Sequence, residues 1–256
     1  MLEISIVIPC YNEELRFSKE YWYSAIENFT HIQWYFANDG STDGTINKLK
    51  ELLLFENCSL IEYKNNHGKA ECIRRSIKSI LSKDNSINVI GYIDCDGAIT
   101  IEDMNSLITE IQLHWEDQNN LNSSYDSIIA SRASLAGRNI ERNLSRHYIA
   151  RIISTFLCRG WNGAPYDTQC GFKLFRVQDA LNYAVAFPFK TRWFIDIELF
   201  SRISLYKLRL ASIWEVPLMR WRDIQGSKLT NFGNFFRILK EIIIARGLIK
   251  AMLKVE

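Results

Sequence analysis

The sequence predicts an α/β protein built on a mainly parallel, twisted sheet with helices on both faces. Short apolar or β-branched runs recur at Ile4 to Pro9, Trp34 to Ala37, Ser59 to Tyr63, Val89 to Ile93 and Ser127 to Ala130. Most are separated by amphipathic stretches long enough for the crossover helix that parallel neighbours require. Each run also gives way to a polar loop, and in open α/β sheets ligands bind beyond the carboxyl ends of the strands.

The first run leaves through Pro9-Cys10-Tyr11-Asn12-Glu13-Glu14, a rigid exit with an aromatic face and a carboxylate. The same residues also read as a helix N-terminus, with Asn12 as cap and acidic residues in the first turn. The second run ends in Asn38-Asp39-Gly40-Ser41-Thr42-Asp43-Gly44-Thr45, a turn with a capping residue. An Asp at a strand end can also accept a hydrogen bond from a pyrimidine N3–H or a ribose hydroxyl, so Asp39 serves either reading. After the third run, Asn66-His67-Gly68-Lys69 precedes a helix expected over Ala70 to Leu81. Glycine permits close approach there, and the helix N-terminus with Lys69 presents positive charge, which suits a diphosphate. The GxxxxGK[ST] spacing of a P-loop is absent. His67 by itself reads as a loop hydrogen-bonder.

The fourth run ends abruptly in Asp94-Cys95-Asp96-Gly97. Carboxylates at i and i+2 of an extended chain point the same way, and hard oxygen ligands suit Mg²⁺ or Mn²⁺, which in turn favour diphosphate oxygens. The clamp implies an activated, phosphorylated donor, although the same pattern also occurs as a polar turn. The fifth run ends in Ser131-Arg132.

Beyond residue 138 the pattern becomes a helix, a turn at Gly160 to Asp167, a short strand and a helix over Phe194 to Leu205. Arg132, Arg138, Arg142, Arg146, Arg151 and Arg159 follow the fifth run, with Glu141 the only acid between 132 and 159. Arg138, Arg142 and Arg146 are spaced i, i+4, i+8, as on one helical face. Without local partners they form either a solvated face or a site for an anion such as a phosphate. Asp167-Thr168-Gln169-Cys170-Gly171-Phe172-Lys173 combines a carboxylate, an amide, a glycine turn and a cation. Asp196 and Glu198 are flanked by apolar residues, where burial raises a carboxylate's pKa or demands a partner. Trp221 to Lys228 reads as a glycine-serine loop able to close over phosphates. The tail Phe232 to Val255 interleaves Ile, Leu and Phe with Arg237, Lys240, Arg246, Lys250 and Lys254, so it either packs on the domain or lies in a bilayer interface.

The bulk numbers fit this picture. With 256 residues, 47% hydrophobic, the chain can bury a full core, and a net charge of +2 excludes a generally polyanion-coating protein, so no nucleic-acid partner is expected. Six cysteines without a CxxC pair read as reduced thiols of a cytoplasmic protein. The first strand begins by about residue 3, leaving no room for a signal peptide, and no apolar run approaches the length of a membrane span. One domain over residues 1–230 is expected, with residues 1–131 as the donor half and 132–230 as the acceptor half, followed by an amphipathic helical tail over 231–256.

The order of segments, SIVIPCYNEE, NDGSTDGT, NHGKA, DCDGA, DTQCGFKLF, RWFIDIELF and WRDIQGSKL, closely resembles family 2 glycosyltransferases of GT-A fold. The likeness spans roughly residues 3–230 and looks most like the branch that includes dolichyl-phosphate glucosyltransferases and bacterial polyprenyl-phosphate glycosyltransferases. It implies that Pro9, Tyr11, Glu13 and Asp39 hold the base and ribose of a nucleotide-sugar, with Lys69 nearby. Asp94 and Asp96 would bind Mg²⁺ or Mn²⁺ across the diphosphate. Arg138, Arg142, Arg146, Lys173 and Lys228 would meet phosphates, and the loop from Asp167 would lie at the reacting centre with Arg132. Asn38 departs from the family pattern, standing where the first Asp of DDGS usually occurs.

The implied activity is inverting transfer of a hexose, glucose in the first instance, from a UDP-sugar to a polyprenyl or dolichyl phosphate at the cytosolic face of a membrane. A phosphate monoester, with a second pKa of about 6, needs no dedicated base at neutral pH. A saccharide or glycolipid hydroxyl acceptor, the alternative, would need Asp167, Asp196 or Glu198 as base. A non-catalytic nucleotide-sugar or membrane-binding module is the more distant alternative.

Overall fold

The computed structural model describes residues 2–116, 125–222 and 235–255, the side chains of residues 144–146 and 235–237 excepted. In chain order the elements are β1 (Ile4–Cys10), α1 (Lys19–Asn28), β2 (Ile32–Asp39), α2 (Thr45–Glu51), β3 (Cys58–Tyr63), α3 (Lys69–Leu81), β4 (Val89–Ile93), α4 (Ile101–Ile111), β5 (Ser127–Ser131) and β6 (Asn139–Glu141). They continue with α5 (Leu144–Cys158), β7 (Phe172–Arg176), α6 (Asp179–Ala186), α7 (Ile195–Lys207), β8 (Ile213–Pro217), β9 (Arg220–Arg222) and α8 (Phe235–Met252).

The main sheet has the order β3-β2-β1-β4-β7-β5-β8. All its pairings are parallel except those of β7 with β4 and with β5. Alternation along the strands feeds two cores. Ile6 and Ile8 join Trp22, Trp34 and Phe36 on one face, while Val7 joins Ile73, Ile77 and Phe200 on the other. Both faces being covered, the central strands read as continuous apolar runs, which is why they are visible in the sequence.

The reversed strand β7 positions the site. Because it runs against β4, with Phe172 opposite Ile93, its leading loop lies beside the loop that follows β4. The Asp167 and Asp94 segments, far apart in sequence, are thereby neighbours.

Two expectations are corrected. Asn12 is not a helix cap: α1 starts later, at Lys19, where the Ser18 side chain accepts from Tyr21 N–H at 3.2 Å. Arg138, Arg142 and Arg146 do not share a helical face, because Asn139–Glu141 between the first two is strand β6, paired in parallel with β9. A spacing of four cannot by itself distinguish a helix from a strand flanked by two arginines.

The C-terminal helix packs on α5 and α7. It buries Ala245, Ile249 and Met252, and Glu241 accepts from the backbone N–H groups of Arg192 and Trp193, each at 2.9 Å. Its outward side leaves Leu239 and Ile243 exposed. Among the described residues no helix is long and apolar enough to cross a membrane. All six cysteines are free thiols.

Trp22 is fully buried, packs edge-on against Trp34 and Phe36, and donates from Nε1 to the Cys95 carbonyl at 3.0 Å. Trp22→Ala is expected to lower stability by about 3–5 kcal/mol, read as a reduced denaturant midpoint, and an unchanged midpoint would refute this packing.

Candidate functional site

The site gathers at the carboxyl ends of β1, β2 and β4. Asp94 and Asp96 follow β4, a strand buried at every position. Their loop is anchored from α1 by the Trp22 indole on Cys95 and by the Tyr21 hydroxyl on the Ile99 carbonyl at 2.7 Å. Asp94 donates its backbone N–H to the Gly171 carbonyl at 2.9 Å. A Cβ at position 171 would collide with the Asp94 carboxylate, so any larger residue here would force that carboxylate out of its present position in the clamp.

Two cations face the clamp. Lys69, the first residue of α3, forms an ion pair with Asp94. Desolvation works to lower the lysine's pKa, but the Asp94 carboxylate overcomes it and holds the pKa above its ordinary value. Arg16 donates from Nη2 to Asp96 at 2.9 Å and lies 3.3 Å from Glu13. Burial, followed by the charge of Asp94, pushes the Asp96 pKa up.

The donor set suits a hard divalent cation. It comprises two carboxylates whose mutual repulsion is relieved by positive charge, and two side-chain cations already stand against it. No group of three His, Cys, Asp or Glu side chains able to hold a metal occurs among the described residues. An ion here would therefore draw further ligands from water and from a ligand's oxygens, as Mg²⁺ does at phosphate sites.

Pro9 lies in β1, and Tyr11 and Glu13 occupy the loop that follows it. This loop is laced to the one after β2: Asn12 Oδ1 accepts from Thr42 N–H at 2.8 Å, and Glu13 N–H donates to Thr45 Oγ1 at 2.8 Å. Asp39 is almost fully buried, and its carboxylate accepts from the N–H groups of His67 at 3.1 Å and Gly68 at 2.8 Å. Burial raises its pKa against those hydrogen bonds. Its observed partners organise the turn into α3, where Gly68 has φ of +88°. His67, expected as a loop hydrogen-bonder, makes its bond to Asp39 through the backbone.

On the other side of Gly171, Arg132 grips Asp167 through Nε at 2.6 Å and Nη2 at 2.8 Å, with its backbone N–H adding a third bond at 3.1 Å. Burial opposes ionisation of Asp167, but the guanidinium overcomes it and holds the carboxyl far below the usual range. The small β6–β9 sheet places the Trp221 ring 5.1 Å from the Arg132 guanidinium and 5.9 Å from that of Arg142. Arg151 of α5 stacks on Tyr166 at 4.0 Å and donates to its carbonyl at 2.7 Å. Arg132, Arg142, Arg151, Tyr166 and Asp167 line a cleft together with Ser154 and Thr168. Burial and the charge of Arg132 lower the Arg142 pKa, and burial with Arg142 and Arg151 lowers that of His147. The cleft thus carries surplus positive potential.

Several expected roles are corrected by burial. Lys173 is fully buried on the central strand β7, paired with Asp196 at 3.1 Å, and cannot reach a phosphate. Asp196 also accepts from the Tyr92 hydroxyl and from Gln169 Nε2 at 3.4 Å, so it supports the floor of the site. Glu198, fully buried, accepts from the N–H groups of Lys190 and Thr191, from the Thr191 hydroxyl and from Arg202, all within 2.7–2.9 Å. It ties down the 188–191 loop and is not a base. Arg138 contacts Met219 at the rim. The Arg146 side chain and Lys228, with the rest of the loop from Asp223, lie outside the described residues. Arg16 was missed because Glu13-x-x-Arg16 reads as an ordinary surface pair. The i, i+3 spacing beside a candidate ligand loop was the available signal.

The family model for glycosyl transferase family 2 matches residues 5–183. The chain belongs to glycosyl transferase family 2. Relatives of this family 2 glycosyltransferase include the dolichyl-phosphate beta-glucosyltransferase of Drosophila melanogaster, 27% identical over 95% of this chain and 74% of that one. The enzyme of the same name from Homo sapiens is 28% identical over 95% and 75%. Among solved structures, glucosyl-3-phosphoglycerate synthase from Mycobacterium tuberculosis in complex with UDP superposes with a TM-score of 0.67 at 18% identity, covering 96% of this chain and 80% of that one. The same synthase with Mn²⁺, UDP and glucosyl-3-phosphoglycerate gives 0.66 at 18% identity, with the same coverage. These likenesses bear out the expected fold and family.

Two outcomes test the site of this family 2 glycosyltransferase. Gly171→Ala should reduce glycosyl transfer about 100-fold by displacing Asp94 while the far-ultraviolet spectrum stays unchanged; near-normal activity would mean the close approach does not matter. Arg132→Lys keeps the charge but loses the two-pronged grip, costing about 2 kcal/mol. Because the folded pKa of Asp167 is depressed, that stabilisation is present above the ordinary carboxylate pKa of ~3.9 and disappears as pH falls. The two proteins should therefore differ in urea midpoint at neutral pH and converge in acid; a gap that persists in acid would overturn the linkage.

Proposed function

We infer that this family 2 glycosyltransferase moves glucose, with inversion, from UDP-glucose to a dolichyl or polyprenyl phosphate at the cytosolic face of a membrane. The observation that carries the reading is the cationic cleft of Arg132, Arg142 and Arg151, set across Gly171 from the Asp94–Asp96 clamp. One side suits a diphosphate donor and the other a phosphate acceptor. The relatives named for dolichyl-phosphate glucosylation support the acceptor, and the UDP-bound synthase supports the donor.

Pro9, Tyr11, Glu13 and, behind them, the buried Asp39 stand at the end of the sheet where base and ribose would sit, and Lys69 would lie beside the diphosphate. Asp94 and Asp96 would hold Mg²⁺ or Mn²⁺, which when bound offsets the charge that develops on the departing diphosphate. Arg132, fixed by Asp167, and Arg142 orient the acceptor phosphate for attack on the anomeric carbon. Each carboxylate weighed as a general base is otherwise engaged: Asp167 by Arg132, Asp196 by Lys173 and Tyr92, Glu198 by Arg202 and the 190–191 backbone. An acceptor that is already an anion needs none of them, which favours phosphate over a sugar hydroxyl.

A membrane location is supported by α5. The helix that places Arg151 and Ser154 in the cleft turns Tyr148, Ile149, Ile152 and Phe156 outward, each more than half exposed. An apolar stripe of this kind beside basic residues suits a bilayer interface, and Ile243 of α8 adds to the exposed apolar surface.

Incubation with labelled UDP-glucose and membrane lipid extract should yield an organic-soluble, acid-labile product, and Asp94→Asn or Asp96→Asn should lower its formation at least about 100-fold at saturating metal and donor. Label appearing only on water-soluble glycan would overturn the acceptor, and full activity in either variant would overturn the clamp.

A further inference from the structure

Arg16 is absent from the roles assigned so far, yet it makes the shortest contact to Asp96. It stands on the loop between β1 and α1, with its guanidinium bridging Asp96 at 2.9 Å and Glu13 at 3.3 Å. Its side chain is 25% exposed and that of Asp96 19%, so solvent does not fully screen the pair. The tyrosine and tryptophan of α1 that anchor the clamp loop also hold the two loops together.

The charges around the clamp can be counted. Asp94, Asp96 and Glu13 contribute three negative charges, and Lys69 and Arg16 two positive ones, leaving the site at minus one. A divalent cation entering alone would bring it to plus one, with Arg16 and Lys69 repelling the newcomer. A divalent cation entering with a diphosphate's two negative charges returns it to minus one and gives a displaced guanidinium phosphate oxygens to bind.

We propose that Arg16 is an internal counter-cation of the Asp94–Asp96 clamp, one that competes with the divalent ion for Asp96 and so makes metal binding depend on the donor's diphosphate. Arg16 is on this view a positioning residue. It keeps the carboxylate pair together before the donor arrives and weakens metal uptake by the free protein. The proposal rests on the clamp reading given above and adds to it a residue and a binding order.

Mn²⁺ titration by calorimetry and by the spin-resonance signal of free Mn²⁺, with and without UDP, tests this on the full chain. Arg16→Met should bind Mn²⁺ alone about 5- to 10-fold more tightly than the unaltered protein, and the tightening produced by UDP should shrink. Arg16→Lys, which retains the charge, should stay close to the unaltered protein and controls for misfolding. Unchanged or weaker Mn²⁺ binding in Arg16→Met, with the clamp still binding in the unaltered protein, would overturn the counter-cation role and leave the clamp reading intact. No Mn²⁺ binding in the unaltered protein, with or without UDP, would overturn both.

Discussion

Two carboxylates one residue apart at the mouth of a buried strand repel each other, and the loops around β4 are arranged to answer that repulsion. Lys69 arrives from the start of α3 and Arg16 from the approach to α1. Two separate connections, those after β1 and β3, supply these cations. They converge because parallel strands send every following loop to the same edge of the sheet. The reversed strand β7 then adds the Asp167 segment from the opposite direction, and the absence of a side chain at Gly171 leaves the Asp94 carboxylate where it stands.

The sequence carried most of the donor side. Apolar continuity marks the central strands, and the abrupt change from Ile93 to Asp94 marks the clamp, because β4, covered on both faces, carries no charged residue until it ends. The acceptor side was harder to read. Strand β6 is three residues long and pairs with residues about eighty positions away, so no local period announces it. The family resemblance, by contrast, depends on ordered motifs and survives such gaps, and the family model and the relatives bear it out.

Charge type alone also misassigned several residues. Lys173 resembled a phosphate ligand in the DTQCGFKLF motif, but its strand lies between β4 and β5 beneath packed helices, so its ammonium is satisfied inside by Asp196. Glu198 and Asp196 were candidate bases for the same reason and were reassigned by the same one. A sequence shows which residues can ionise; only the layer order shows which of them meet solvent.

The proposed acceptor chemistry gives the remaining cations a second purpose. In the cleft, burial and then Arg132 disfavour the charged form of Arg142, and burial with Arg142 and Arg151 disfavours that of His147. The same field acts with opposite sign on an anion: a phosphate monoester entering the cleft has its second ionisation favoured, below its solution value of about 6. The arginines would then hold the acceptor in place and also keep it in its nucleophilic form. Asp167 offsets part of this field, acting against the arginines at both Arg142 and His147, but it is paired with Arg132, so Arg142 and Arg151 remain as the surplus positive charge. A hydroxyl acceptor would gain little from such a field, since its proton lies many pH units out of reach. The cleft's excess of positive charge is therefore what a reaction without a general base requires.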